Sequence, residues 1–254
     1  MANQKVLVTA GASGIGRAIA HAFAKAGASV AVIDIDETAL KAFELELPGV
    51  KTFKCDVSSR ADIEQIVPEA ISALGGLDVL VNNAGISGPT APVESFDPDA
   101  WDKVMQINLG GTFNVTRLAI PHLKQSGAAS IIVMSSVAGR FGYPNRSAYS
   151  VSKWGLIGFT KTLSRELGES SIRVNAILPG AVAGERIENV LAGRAKLSGR
   201  PIEEERHQAM SLQSLQRFVD PNDIAALALF IASDAGKSIS GQLLPIDNDM
   251  QQAS

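Results

Sequence analysis

Several things are scarce in this sequence, and each scarcity narrows what it can be. One cysteine, Cys55, stands in 254 residues. No disulfide can therefore close within the chain, and beside a strand-like run this thiol reads as a small core side chain. Aromatic residues make up 5%, so the core must be assembled mainly from Ala, Val, Ile and Leu, a composition suited to a parallel sheet covered on both faces. No block of Lys and Arg occurs: 23 basic and 26 acidic residues are spread along the chain for a net charge of -3. That distribution argues against a nucleic-acid partner. The histidines, His21, His122 and His207, are isolated from one another and no carboxylates stand at ligand spacing, so no metal is expected. No apolar run approaches the roughly 20 residues that span a bilayer. Met1 to Lys5 lacks the regions of a signal peptide, and a cytoplasmic protein without a membrane partner is expected.

What is present is a rhythm. Hydrophobic residues form 46% of the chain, enough for one large α/β domain over residues 1–254. Strand-like runs at Lys5–Thr9, Val30–Asp34, Val50–Cys55, Val79–Val81, Ser130–Ser135, Ile172–Ile177 and Leu243–Ile246 alternate with helical patterns. The helices are expected at Ile15–Ala26, Glu37–Leu47, Ala61–Leu74, Asp99–Gln125, Ala148–Leu167 and Asn222–Ala232. Strict alternation requires right-handed crossovers, hence a Rossmann-type doubly wound parallel sheet of about seven strands with helices on both faces. Such sheets bind ligands at the carboxyl ends of their strands. One stretch breaks the rhythm. Ala181 to Gln216 follows a strand, alternates polar and apolar residues and holds Gly184, Gly193 and Gly199, which marks it as a substrate lid.

The first strand runs into Thr9-Ala10-Gly11-Ala12-Ser13-Gly14-Ile15-Gly16 at the start of a helix. A pyrophosphate needs close backbone approach and N–H donors at a helix amino terminus, and glycines permit both. The plain alternative is a tight β-to-α turn. Position favours the phosphate reading, because the motif belongs after a first strand and before a helix. Asp34, at the end of the second strand, is placed to accept hydrogen bonds from the adenosine ribose and to repel a 2′-phosphate. This predicts NAD rather than NADP, with Asp36 left to cap the following helix.

Tyr149 and Lys153 stand four apart in a helical pattern and share one face, and Ser136 ends the fifth strand. A phenol can donate the proton that a reduced carbonyl oxygen takes up. A lysine ammonium beside it favours the phenolate, and a serine hydroxyl holds the oxygen as charge develops. Singly, each residue has a duller account as packing, solvated charge or cap.

Together, Thr9–Gly16, Asn82-Asn83-Ala84-Gly85, Asn108, Ser136, Tyr149-Ser150-Val151-Ser152-Lys153 and Pro179-Gly180 resemble the short-chain dehydrogenase/reductase family over essentially the whole chain. The resemblance implies a homotetrameric oxidoreductase moving a hydride between NAD and a secondary alcohol or ketone. Tyr149 would be the acid/base, Lys153 its partner and a ligand of the nicotinamide ribose, and Ser136 the residue that orients substrate. Asn108 would help hold a water linking Lys153 to solvent. Gly11, Ser13, Gly14, Ile15 and Gly16 would cradle the cofactor, with Asp34 on its ribose and Asp56 and Val57 beside its adenine. Asn83, Ala84, Gly85, Pro179, Gly180 and Val182 would complete the cofactor site. Ser87, Arg140, Phe141, Tyr143 and the lid would line the substrate pocket, with Arg140 and Arg186 either binding an anionic group or pairing with Asp and Glu as surface salt bridges. Glu203-Glu204-Glu205 is expected on a solvated helix face, and Trp154 at a subunit contact. Three departures stand out: Ala10 where the family has glycine, with Gly11 expected to keep the turn open; Gly184 in place of a threonine; and Asp247-Asn248-Asp249 in place of Asp-Gly-Gly. The alternatives are an NADP-dependent 3-oxoacyl-thioester reductase and a dinucleotide-binding regulatory protein without catalysis.

Overall fold

Valine, isoleucine and leucine in consecutive positions can all be buried only when a strand is covered from both sides. Ile131 and Ile132 point to opposite faces and both are fully buried. In the computed structural model, which describes residues 3–252, this pattern recurs along the central strands. They are β1 (Lys5–Thr9), β2 (Ser29–Asp34), β3 (Lys51–Lys54), β4 (Val79–Asn82), β5 (Ser130–Met134), β6 (Arg173–Pro179) and β7 (Leu243–Ile246). All pair in parallel, in the order β3-β2-β1-β4-β5-β6-β7. The order reverses between β1 and β4, the switch point where such sheets open a crevice.

Alternate residues of each strand feed two cores. Leu7, Ile33, Leu80, Ile131 and Val133 face one side, under α3 (Arg60–Leu74), α5 (Thr112–Leu123) and α6 (Ser147–Glu166). Val6, Val8, Val32, Val81 and Ile132 face the other, under α1 (Gly14–Lys25), α2 (Glu37–Glu46) and α9 (Pro221–Ala232). Cys55 lies in the first core, 1% exposed. Burial, with the nearby Asp62 and Asp56 charges, pushes its thiol up to about 12. The expected helix Asp99–Gln125 is α4 (Pro98–Met105) and α5 joined through one π-helical stretch, Gln106–Gly111. That interruption turns Asn108 inward, fully buried. Among the described residues no helix is long and apolar enough to cross a membrane.

The stretch 181–216 folds as α7 (Glu185–Ser198) and α8 (Ile202–Ser211) around a small core of its own, Ile187, Val190, Leu191 and Ala209. Glu205 corrects the expectation of a solvated acidic face. It is 3% exposed and accepts hydrogen bonds from Ser198 Oγ at 2.6 Å and Arg200 Nε at 2.9 Å, which hold its carboxyl below the usual range, the Ser198 bond most strongly.

Candidate active site

At the switch point β1 and β4 are laced together. Thr9 Oγ1 accepts from the backbone N–H groups of Asn83 and Ala84, each at 2.9 Å. Asn83 Nδ2 returns bonds to Thr9 O at 3.1 Å and Ala10 O at 3.0 Å. The chain then turns so tightly that a Cβ on Gly16 would sit 2.1 Å from Ala10 O, and one on Gly11 2.8 Å from Val32 Cγ1. The expectation that Gly11 relieves the turn is corrected here: Ala10 itself takes the left-handed conformation, with φ of 48°, while Gly11 supplies space. Ser13, the N-cap of α1, makes no side-chain capping bond, and the first turn of α1 carries no acid. The N–H groups of that helix end are therefore left for a ligand, and an anion is what their dipole favours. This donor set fits the pyrophosphate of a dinucleotide.

Asp34, 8% exposed, stands beside the same turn. Its two oxygens accept from the N–H groups of Ala12 and Asp36, both at 3.1 Å. Each carboxylate oxygen keeps a further lone pair for a ribose hydroxyl. Asp36 caps α2 through the N–H groups of Thr38 and Ala39.

A cavity of about 660 Å³ runs from this turn along the strand ends. Ser13, Gly14, Ile15, Asn83, Gly85, Ser136, Tyr149, Lys153, Pro179, Gly180 and Val182 line it, as do Ser87, Tyr143 and residues of α7 and α8. Gly11, Gly16, Asp34, Ala84 and Asn108 are not part of its lining. Asp56 and Val57 stand apart from it: the Asp56 carboxylate accepts from Ser58 N and Oγ, and Val57 packs where a Cβ on Gly111 would be. Arg140 and Phe141, expected in the pocket, are not part of its lining. Arg140 sits over the Phe141 ring at 5.0 Å and 3.9 Å from an Asp247 oxygen. Arg186 pairs with no acid among the described residues and donates to Gly85 O at 2.8 Å.

Around Tyr149 the sequence spacing becomes geometry. Lys153, one helical turn on, lies with Nζ 5.6 Å from the centre of the Tyr149 ring and donates to Met134 O at 2.8 Å. It is 3% exposed. Burial, and secondarily the Arg186 charge, pulls its ammonium down to about 7. Ser136 Oγ accepts from Ala138 N at 3.2 Å, so it caps a turn and faces the cavity at once. Asn108 spends its whole amide on a brace. Its Oδ1 accepts from Ile86 N at 2.8 Å, and its Nδ2 donates to Ile86 O at 3.0 Å and Ser152 Oγ at 2.9 Å.

Sequence reasoning missed Arg146 and Arg194. Arg146 is 2% exposed and its guanidinium lies 5.4 Å from the centre of the Tyr149 ring and 5.5 Å from that of Tyr143. Arg194 donates to the Tyr143 hydroxyl at 2.5 Å. The one available signal was the three-residue step from Arg146 to Tyr149 at the start of a helix.

The family whose description reads Enoyl-(Acyl carrier protein) reductase matches residues 9–250. The chain is 38% identical over 248 residues to a 3-oxoacyl-[acyl-carrier-protein] reductase FabG of Thermotoga maritima, covering 96% of each. It is 36% identical to a D-beta-hydroxybutyrate dehydrogenase of Cupriavidus necator, covering 95% of each. The crystal structure of levodione reductase superposes with a TM-score of 0.92 at 32% identity, covering 98% of this chain and 97% of that one. The chain belongs to the short-chain dehydrogenase/reductase family. Against that family, the departures acquire structural content. Gly184 is the N-cap of α7 and offers no side-chain bond. Asn248 and Asp249, in place of two glycines, both take positive φ, 57° and 56°, which Asn and Asp tolerate better than most residues. Their side chains are used: Asn248 Nδ2 donates to Arg217 O at 2.7 Å, and Asp249 Oδ2 accepts from Ser214 Oγ at 2.5 Å. The carboxyl-terminal loop thus fastens the far end of the lid.

Proposed function

We propose that this chain is an NAD-dependent oxidoreductase that interconverts a secondary alcohol and a ketone, working in the cytoplasm as a homotetramer. The observation that carries the reading is one cavity with an uncapped, acid-free helix start at one end and Ser136, Tyr149 and Lys153 at the other. NAD, bound along it, supplies the acceptor or donor of the hydride. Everything else falls to the protein. In the reducing direction the Tyr149 hydroxyl gives its proton to the substrate oxygen, and Ser136 Oγ donates the second hydrogen bond that stabilises charge on it. Lys153 holds a proton beside Tyr149 and is a ligand for the nicotinamide ribose. Asn108 is a positioning residue, since its amide fixes Ile86 and Ser152 next to Lys153 on the path by which a water would return the proton.

Purified protein incubated with NAD and a panel of alcohols, sugars and hydroxy acids should form NADH. With any substrate so found, Tyr149→Phe should lose about 10²–10⁴-fold in turnover while NADH affinity stays within about twofold. Undiminished turnover in that variant would sink the assignment.

A second reading, an NADP-dependent reductase of 3-oxoacyl thioesters, draws support from the name of the Thermotoga maritima relative. The Asp34 carboxylate at the ribose end weighs against it, because a 2′-phosphate would meet a fixed negative charge. NADH should bind more tightly than NADPH, and Asp34→Ala should narrow the difference; equal affinities in the unmodified protein would favour the second reading.

A further inference from the structure

The substrate end of the cavity is unusually cationic. Of the ionisable side chains that line it, Arg146, Lys153, Arg186 and Arg194 are basic, Tyr143 and Tyr149 are phenols, and Glu185 is the lone carboxylate. Arginines inside proteins are normally paired, because an isolated charge removed from water is costly. Here neither Arg146 nor Arg194 forms an ion pair with a carboxylate among the described residues. Glu205, whose carboxyl feels the Arg194 charge, is committed to Ser198 and Arg200.

Arg146 is the more telling of the two. A guanidinium carries five N–H donors. Arg146 uses one through Nη2 on Ser87 O at 2.9 Å and one through Nη1 on Thr90 Oγ1 at 3.2 Å, and its Nε is buried without any partner. The two contacts fix the plane of the group against the Ser87–Thr90 loop, between the rings of Tyr143 and Tyr149. Burial draws its proton affinity down, Tyr143 and Tyr149 oppose that, and the charges of Arg194 and Arg186 add to it. A site that concentrates like charges and leaves buried donors empty is completed by an anion. Arg194 enters from α7, held by the Tyr143 hydroxyl, so the two guanidiniums reach Tyr143 from the body and from the lid.

We propose that the substrate carries a carboxylate, which Arg146 and Arg194 bind while its hydroxyl or ketone carbon lies at Tyr149; the enzyme would then act on hydroxy and oxo acids. Arg186 is left out of the pair because it is exposed, whereas Arg146 is buried and Arg194 half-buried. The inference rests on the dehydrogenase reading and adds the class of substrate. A purely structural duty for Arg146, tethering the Ser87–Thr90 loop, would leave the ligand's charge irrelevant, and the test turns on that difference.

The protein saturated with NAD, which cannot reduce a ketone, is titrated calorimetrically with acetoacetate, 2-oxobutyrate and levulinate, with the methyl ester of each, and with dihydroxyacetone phosphate. At least one carboxylate should bind about tenfold or more tightly than its own ester, as a charge-assisted bond lost from a buried site requires. Arg194→Gln, a half-buried position, should erase that preference while binding NAD as before. Arg146→Lys should retain part of it and Arg146→Met none. Esters binding as well as acids, no acid binding at all, a preference that survives Arg194→Gln and Arg146→Met, or the phosphate outcompeting every carboxylate would each overturn the proposal. Failure to bind NAD in the unmodified protein would instead strike at the dehydrogenase reading, so the two failures are told apart.

Discussion

Burying an ammonium is costly unless an anion or several carbonyls surround it, and Lys153 has one carbonyl partner, Met134 O. Its proton affinity is lowered from 10.5 to about 7, first by burial and then by Arg186. Between pH 7 and 10.5 the unfolded chain therefore binds the proton that the fold has released, and stability without cofactor rises with pH across that window. Below pH 7 both states are protonated and the whole penalty is present. Lys153→Met, of similar volume and uncharged, should melt above the parent protein at pH 7. The gap should close as pH approaches 10. A gap that does not change with pH would mean Lys153 is not the group responsible. Ala10 offers a second test. Its φ of 48° is a conformation that costs an L-residue roughly 1–2 kcal/mol relative to glycine, so Ala10→Gly should raise stability by up to about 1 kcal/mol once backbone entropy is deducted, read by urea denaturation. Tyr149 and Lys153 were legible because a four-residue spacing says which face they share. Arg146 was not, since its importance comes from Ser87 and Thr90, 59 and 56 residues away.

Strands were the most legible elements, because β1 and β5 carry continuous aliphatic runs, Val6-Leu7-Val8 and Ile131-Ile132-Val133. Helix ends were nearly as plain where a cap announces them, as Asp36 does for α2. The π-helical stretch at Gln106–Gly111 left no mark in the hydrophobic pattern; it is fixed by long-range bonds, Asn108 to Ile86 and Ser152. The stretch 181–216 was legible as an irregular insertion, with a pair of helices only as the alternative reading, since their apolar positions serve a core of four buried residues. Small satellite cores are the parts of a protein that open first. The lid is attached through the Val182–Val219 bridge, the Arg194–Tyr143 bond and the Asn248–Asp249 loop. Amides of α7 and α8 should exchange faster than those of β1 and β4 in the free protein, and should slow when NAD and a binding oxo acid are added together. Uniformly slow exchange in both states would leave this segment a fixed wall of the pocket.

At the scale of the whole molecule, burial explains the sheet and its two cores but leaves large apolar side chains outside. Phe113 on α5 is 52% exposed, Val151 and Trp154 on α6 are 48% and 50%, and Phe230 on α9 is 46%. Isolated exposed apolar residues are ordinary, whereas clustered ones mark interfaces. The first three stand on helices of one layer: Phe113 meets Phe159 of α6 edge to face at 6.5 Å, and Val151 and Trp154 are three apart on α6. Phe230 stands on a helix of the opposite layer. A tetramer with two-fold axes requires two distinct contacts, each using one patch against its own copy; the α5–α6 side is the candidate for one, and Phe230 marks where the other is to be tested. Light scattering coupled to gel filtration should return about four times the 26.6 kDa of the chain. Trp154→Glu together with Phe113→Glu should reduce the tetramer to a dimer, and Phe230→Glu should act independently through the other face. A monomeric parent protein, or a tetramer indifferent to all three substitutions, would remove the interface argument and leave these residues as exposed apolar surface.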